Sequence, residues 1–412
     1  MLKIFDKNMK HYSFLFFIPF LLLAKISHSQ SPKLTLPLES LVYPEETHFK
    51  NMKKLVLILI YFPLISFPQS SLKKTELNKK TLIYPQELHF KNMRQLTFEG
   101  ENAEAYWSFD DSKLIFQATN EAWGQSCDQI YIIDTNNYNL KNDMPQLVSL
   151  GLGRTTCSYF MPGDSTIIYA STHLEDAKCP HVPDRRVDGR YVWPIYDSYD
   201  IFISDMDGNI IKRLTNHEGY DAEATVSPMG DKIVFTSIRS GDLELYTCNI
   251  DGSEIKQVTD QLGYDGGAFF SNDGKKLVFR SSRPKTENEI KEYKALLSQG
   301  LVQPTKMEIY TCNVDGSDLK QITNLGNANW SPFFHPSDEK IIFCSNHASK
   351  MGFPFNLYMI DIDGRNLEQI TFDQKFASFP VFSNDGKKIV FSSNRNNGGT
   401  RNTNVFIADW IE

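Results

Sequence analysis

The sequence predicts an all-β protein, a six-bladed β-propeller of four-stranded blades, and three observations carry that prediction. First, a unit recurs. Residues 213–252 run through a short strand ending at Leu214-Thr215, an apolar strand from Ala222, a tight turn, the strands KIVFTS and LELYTCN, and an Asp-Gly turn, and the pattern begins again at Val258, Ile322 and Ile370. Repeats of about 40–45 residues with four strands each are the signature of propeller blades. Second, the turns recur with it: Asn-Asp-Gly at 272–274 and 384–386, and Asp-Gly at 207–208, 251–252, 315–316 and 363–364, residues that accept the positive φ of tight hairpins. Third, the last unit ends three strands in, at NVFIADW (404–410), while MRQLT (93–97) stands before the first unit as an unpaired copy of a fourth strand. A ring without raw edges follows if that N-terminal strand completes blade six.

The chain ahead of the repeats reads as export signals. Residues 12–24, YSFLFFIPFLLLA, follow Lys10 and His11 and precede a small polar run, the order of a secretory signal. The apolar run is short of the ~20 residues that span a bilayer. A second segment of the same kind occupies 52–70, and LVYPEETHFKNMKKL (41–55) matches LIYPQELHFKNMRQL (82–96) at ten of fifteen positions, as if two related gene starts had been joined. The expected organisation is a signal-like segment at 1–30, a linker with the second signal at 31–81, and the propeller at 82–412. The mature protein is expected to begin near Gln69–Ser71, outside the cytoplasm in the periplasm or medium, without a stable transmembrane span. The balance of 43 Lys+Arg against 50 Asp+Glu, net −7, argues against a nucleic-acid surface.

Blade one is read from Ala103, with strands around Asp110-Asp111-Ser112, then CDQIYIID (127–134) and PQLVSL (145–150). Blade two starts at Thr155 and resumes after a long insertion at YDIFISDMDG; blades three to six start near Asp221, Asp265, Asn327 and Phe376. The recurrent pattern of Leu-Thr, Pro-x-Gly-Asp-Lys-Ile-Val-Phe and Asn-x-Asp-Gly resembles the repeat of TolB-type propellers, also found in the propeller part of prolyl-oligopeptidase-like enzymes. The resemblance covers residues 93–412 and implies the fold far more strongly than a function. TolB-type periplasmic proteins carry an additional N-terminal α/β domain for which this chain leaves no room between Leu82 and the first strand.

Two insertions, 174–198 in blade two and 284–305 in blade four, fall between second and third strands, on the face opposite the Asp-Gly turns. Elaborated loops on a rigid scaffold are where binding resides. Inter-blade loops lead into the innermost strands, so the candidate binding residues at the channel mouth are Glu104, Arg154, Asp221, Glu223, Asp265, Asn329 and Trp330, with Arg185 and Arg186 on a lid formed by 174–198. A mouth rich in carboxylates fits a cationic or polar guest. The series Asn120, His173, Arg239, Arg283, His347 and Arg395, each four residues after a second-strand aromatic, is expected to brace neighbouring segments. Some pectin-fragment lyases resemble this architecture and hold a metal with propeller histidines, but His173 and His347 lack a clustered third ligand, so no metal or cofactor is expected. A disulfide is expected between two of Cys127, Cys157 and Cys179, and a short helix capped by Thr286 within 284–300.

These readings give an exported, non-enzymatic binding or scaffold module for a protein or polar ligand, acting as a monomeric propeller. The alternatives are a metal-dependent polysaccharide lyase-like enzyme and the propeller half of a prolyl-oligopeptidase-like hydrolase. No G-x-S-x-G motif occurs in the sequence, which weighs against the hydrolase.

Overall fold

Because each blade is packed between two others, its middle strands are buried on both faces, and this is why KIVFTS, KLVFRS or KIIFCS read as apolar runs after their first lysine. The computed structural model describes residues 82–136, 144–183, 189–350 and 352–412. The signal-like segments and linker assigned to 1–81 lie outside them, as do Arg185 and Arg186. Among the described residues no helix is long and apolar enough to cross a membrane.

Strand β1 (Phe90–Gln95) precedes the blades. Blade one is β2 (Glu101–Trp107), β3 (Lys113–Thr119), β4 (Gln129–Asp134) and β5 (Gln146–Leu147). Blade two comprises β6 (Thr155–Phe160) and β7 (Thr166–Ser171), then β8 (Trp193–Pro194) within the insertion, then β9 (Asp200–Asp205) and β10 (Ile210–Arg213). Blade three is β11 (Asp221–Val226), β12 (Lys232–Ser237), β13 (Glu244–Asn249) and β14 (Lys256–Gln257). Blade four is β15 (Asp265–Phe270) and β16 (Lys276–Ser281), interrupted by helix α1 (Glu287–Leu297) and β17 (Leu301–Val302), then β18 (Glu308–Asn313) and β19 (Lys320–Gln321). Blade five is β20 (Asn329–Phe334), β21 (Lys340–Ser345), β22 (Asn356–Asp361) and β23 (Glu368–Gln369), and blade six β24 (Ala377–Phe382), β25 (Lys388–Ser393) and β26 (Asn404–Trp410). Six four-stranded antiparallel sheets result, as the repeats require.

The outermost strands are short, often two residues, and a side chain after each holds it in place. The hydroxyl of the Leu-Thr, Val-Thr or Ile-Thr motif accepts the backbone N–H of the third strand: Thr215 from Ile201 at 2.9 Å, Thr259 from Leu245 at 2.9 Å, Thr323 from Ile309 at 2.8 Å and Thr371 from Leu357 at 2.8 Å. Ser149 does this in blade one, and Thr97 does it for Val405 in blade six. The recurrent threonine therefore replaces a ladder bond that a two-residue strand cannot supply.

On the opposite face the turns latch onto neighbouring blades. Asp111 accepts from the backbone N–H groups of Asn384 and Asp385, Asp338 from those of Asn272 and Asp273, and Asp164 from those of Phe109 and Asp110. These three aspartates sit at positive φ, a conformation that short polar side chains tolerate.

Closure takes the expected form. β1 pairs antiparallel with β26, Phe90 opposite Trp410 and Gln95 opposite Phe406, with Leu96 N–H bonded to the Val405 carbonyl at 2.8 Å. The approach to this strand is anchored by Arg395, which grips Glu87 through two hydrogen bonds of 3.0 and 2.8 Å, bonds the Leu82 carbonyl and lies over the Tyr84 ring. Both side chains are almost wholly buried, at 2% and 0% exposure.

Removing one partner of a buried ion pair strands the other, at a cost of roughly 3–5 kcal/mol. Glu87→Ala should lower unfolding stability by the lower part of that range in a denaturant melt, because buried Asp373 still lies 3.8 Å from Arg395 Nε, and deletion of 82–98 should cost more, because β26 then becomes a raw edge. A truncated protein that melts like the parent would disprove closure through β1.

Candidate functional site: a lidded cavity in the central channel

The innermost strand of every blade carries a β-bulge at the same place. The register breaks between Ala103 and Tyr106, Thr156 and Tyr159, Ala222 and Thr225, Gly266 and Phe269, Trp330 and Phe333, and Ser378 and Val381. The first residue inside each break has positive φ: Glu104 at 55°, Cys157 at 51°, Glu223 at 61°, Gly267 at 61°, Ser331 at 51° and Phe379 at 53°. Bulges re-aim a side chain out of the pleat, and all six of these residues line one cavity in the middle of the ring. It contains about 870 Å³ of empty space, open solvent at its edge included. Tyr106, Ser158, Ala224, Thr225 and Phe269 from the same strands, Arg280 from β16, and Tyr191, Trp193, Trp330 and Phe376 complete the lining.

The two insertions close over it together. β8 and β17 pair antiparallel, Leu301 opposite Pro194 and Val302 opposite Trp193, and the Ile195 N–H bonds the Gly300 carbonyl at 2.7 Å. The strap so formed joins blade two to blade four. Trp193 on it packs against Trp330, ring centres 5.2 Å apart, and Trp330 donates its indole N–H to the Pro304 carbonyl at 2.8 Å. At one end a disulfide between Cys127 and Cys179 ties the insertion to blade one, closing a span of 52 residues. At the other, α1 starts in a capping box formed by Thr286 and Glu289 and buries Tyr293 and Leu296. Cys157, the third cysteine of this region, keeps a free thiol and faces the cavity.

The polar chemistry of the cavity is asymmetric. Glu223 is fully engaged: it pairs with Arg280 and accepts hydrogen bonds from Thr236 Oγ1 at 2.7 Å, Tyr264 OH at 2.8 Å and the Gly267 N–H at 2.9 Å. Burial alone would raise its carboxyl, yet Arg280 and the hydroxyl donors hold it below the ordinary value. Arg280 lies over Trp193 and Tyr264, 5.4 and 5.1 Å from the ring centres. It fits only because its blade has glycine at the bulge, since a Cβ on Gly267 would stand 1.8 Å from Arg280 Nη1. Glu104 has no such partner. Its hydrogen bond is from the Cys157 thiol at 3.3 Å, and burial, added to by the charge of Glu223, pushes its carboxyl up to about 7 against the thiol and Arg280. The Cys157 thiol is itself pushed well up by burial and by the two acids, so it acts as a donor.

The sequence-derived candidates divide into two groups. Glu104, Glu223 and Trp330 meet at the cavity. Asp221, Asp265 and Asn329 do not stand on an accessible rim; each is 0% exposed. Asp221 holds Arg239 through both carboxylate oxygens at 2.9 Å, Asp265 holds Arg283 at 2.5 and 2.9 Å, and Asn329 bonds Ser345, the Met307 carbonyl and Glu308. They open the innermost strands, where a loop carbonyl or a second-strand base must be satisfied before any ligand. Arg154 pairs with Asp128 and points at Cys179 Sγ, at the root of the strap. Arg185 and Arg186 lie outside the described residues. Alanine at Asp221 or Glu223 would therefore disturb the fold as well as any site, because each change leaves an arginine, Arg239 or Arg280, without its carboxylate.

Arg239, Arg283 and Arg395 brace neighbouring segments as their series implies, while His173 and His347 bond Ser171 and Ser345 of their own strands at 2.9 and 3.0 Å. Among the described residues no group of three or more His, Cys, Asp or Glu side chains is placed to hold a metal. Sequence reasoning missed Arg280, Phe379 and the cavity-facing position of Cys157, while Trp193 was read as part of the lid insertion. One signal existed: the residue after the second-strand aromatic is Gln117, Ala170, Thr236, Cys344 or Ser392 in the other blades, so an arginine there stands out.

The family model described as the TolB beta propeller domain matches residues 194–303, from the strap through blade three to the end of the second insertion, and shows the TolB-type resemblance there. Among solved structures, the chain is similar to a protein assigned as TolB from Agrobacterium tumefaciens (18% identity, 76% of this chain and 91% of that one, TM-score 0.48). It is also similar to TolB from Acinetobacter baumannii (17%, 76% and 64%, TM-score 0.45) and to an oligogalacturonate lyase in complex with manganese (14%, 79% and 98%, TM-score 0.42). No curated protein sequence matches the chain.

The unmatched carboxyl has a consequence for stability. An unfolded chain releases the Glu104 proton at the ordinary 4.5, whereas the folded one retains it up to about 7. Its contribution is therefore fully present below pH 4.5, falls as pH rises through 7, and is level above. Glu104→Gln should match the parent near pH 4.5 and exceed it at pH 8 by roughly 3 kcal/mol in urea melts; a variant less stable at pH 8 would refute this environment for Glu104.

Proposed function

We propose that this six-bladed TolB-like propeller is an exported, non-enzymatic binding protein that holds a small ligand in its central channel beneath the paired insertions. The observation that carries this reading is the β8–β17 strap, two insertions from different blades that meet over an aromatic-walled cavity. A propeller needs neither insertion to close its ring. Ligand sites are concave, largely apolar and equipped with a few placed polar groups, which is the composition of this lining. Glu104, Glu223, Arg280 and Trp330 are the ligand-facing set, while Asp221, Asp265, Asn329 and Arg154 hold the frame around them. Arg185 and Arg186 belong to the same insertion in the sequence and lie outside the described residues. The disulfide supports export, because such bonds persist in oxidising compartments.

A substitution can fill the cavity without disturbing the ring. Ser331 and Phe379 occupy the same bulge position in adjacent blades with nearly the same φ, 51° and 53°, so phenylalanine is already accommodated there. Ser331→Phe should melt within about 1 kcal/mol of the parent while losing a small-molecule adduct that the parent retains in non-denaturing mass spectrometry after isolation from its own cells. A folded Ser331→Phe protein that keeps the adduct, or a parent that carries none after incubation with cell extract, would overturn the reading.

A further inference from the structure

We infer that the channel cavity selects a protonated amine carried on an apolar or aromatic body, with Glu104 as the counter-charge; the inference rests on the binding reading above. Among the described residues three charged side chains line the cavity: Glu104, Glu223 and Arg280. Glu223 and Arg280 neutralise each other in a contact completed by Thr236, Tyr264 and the Gly267 N–H. One negative group is left over, and the bulge aims it into the cavity at a positive φ that glutamate adopts only where the surrounding structure imposes it. Its single hydrogen bond, from Cys157, engages one carboxylate oxygen.

A second acceptor lies in the same lining. Ser158 Oγ is buried without a hydrogen-bond partner, in a residue 1% exposed. An ammonium group brings three donors and no acceptor, so it can engage Glu104 and Ser158 together. The walls suit the rest of such a guest: Tyr106, Phe269, Trp330, Phe376 and Phe379 offer ring faces and edges, and aromatic faces attract a desolvated cation. An anionic guest would have to displace Glu223 from Arg280 and would stand beside an acid. A neutral guest would leave the unmatched carboxyl as it is.

The retained cost points the same way. A buried carboxyl whose hydrogen bond comes from a thiol and not from a cation lowers stability at neutral pH, and sequences keep such costs where a site acts. Among the described residues, the groups that face Glu104 are Cys157 from β6, Glu223 from β11, Arg280 from β16 and Tyr106 on its own strand. Burial and these neighbours keep Tyr106 and Cys157 protonated across neutral pH. Of these described groups, Glu104 is the one that changes charge there, and it sets the pH dependence of cation binding.

The test uses phenethylammonium, its neutral counterpart 2-phenylethanol and the anion phenylacetate, titrated into the intact protein by calorimetry. At pH 8 phenethylammonium should bind at least tenfold more tightly than either control. Its affinity should fall roughly 50- to 100-fold between pH 8 and pH 5, as the carboxylate takes up its proton. Glu104→Gln should erase both the preference and the pH dependence, whereas Cys157→Ser, which keeps a donor to Glu104, should preserve them. Equal binding of amine and alcohol, or tighter binding of phenylacetate, would overturn the choice of a cation and leave the cavity as a binding site. Failure of all three probes would also overturn it. If the native adduct were absent from the parent as well, the binding reading would fall with it; if that adduct were present and lost in Ser331→Phe, only the cation would be wrong.

Discussion

Closure of the ring is the constraint on which the rest of this molecule depends. Six sheets can stack face to face in a circle only if each has neighbours on both sides, and the last sheet lacks a strand until β1 supplies it. That strand comes from the opposite end of the described chain, so its pairing must offset the entropy of joining distant segments. The Glu87–Arg395 pair is placed to fix it. It lies just before β1 and is nearly free of water, and Arg395 also stacks on Phe391 of β25. With the circle complete, the innermost strands neighbour one another all the way round, and a feature repeated on each of them converges on one axis.

The repeated bulge turns that convergence into a site. One backbone irregularity, at the same register in every blade, presents six positions to the channel while leaving the sheets intact. Regular pleating would send alternate residues against the neighbouring blades. The bulge detaches the channel-facing residue from that packing duty, so its identity can vary: glutamate, cysteine, glutamate, glycine, serine and phenylalanine here. Asymmetry inside a symmetric scaffold follows. The glycine opens room for Arg280, Arg280 compensates the neighbouring Glu223, and Glu104 two blades away is left without an equivalent partner.

The fold was legible in the sequence because its determinants are local and periodic. Threonines after the outer strands, Asp-Gly hairpins and apolar second strands recur with each blade, and the missing fourth strand of blade six could be matched to residues 93–97. The helix in the second insertion was likewise readable from Thr286, its apolar spacing and Gly300. The site was legible only in part, for two physical reasons. Charged residues at the starts of inner strands looked like a rim, but Asp221 and Asp265 are consumed by Arg239 and Arg283 from the adjacent strand; sequence spacing shows the partners without showing that they meet. Glu104 and Glu223 were found among the inter-blade residues, yet nothing in a strand's alternation reveals that a bulge directs them inward. Pairing of β8 with β17, and the choice of Cys127 for Cys179, are long-range facts that no local pattern encodes.

The strap explains how a cavity of modest polarity can be selective. It is held at both roots, by the disulfide at Cys179 and by the capped helix beside β17, and at its centre by Trp193 packed on Trp330. On the proposed binding role, the paired strands β8 and β17, anchored at three points, would lose little conformational entropy when a guest arrives. The Glu223–Arg280 contact is buried beneath it, and electrostatic interactions of Glu104 in that low-dielectric setting are strengthened. On the proposed reading, the walls limit the size and shape of the guest, and the Glu104 carboxylate, without an ion-pair partner among the described residues, determines its sign.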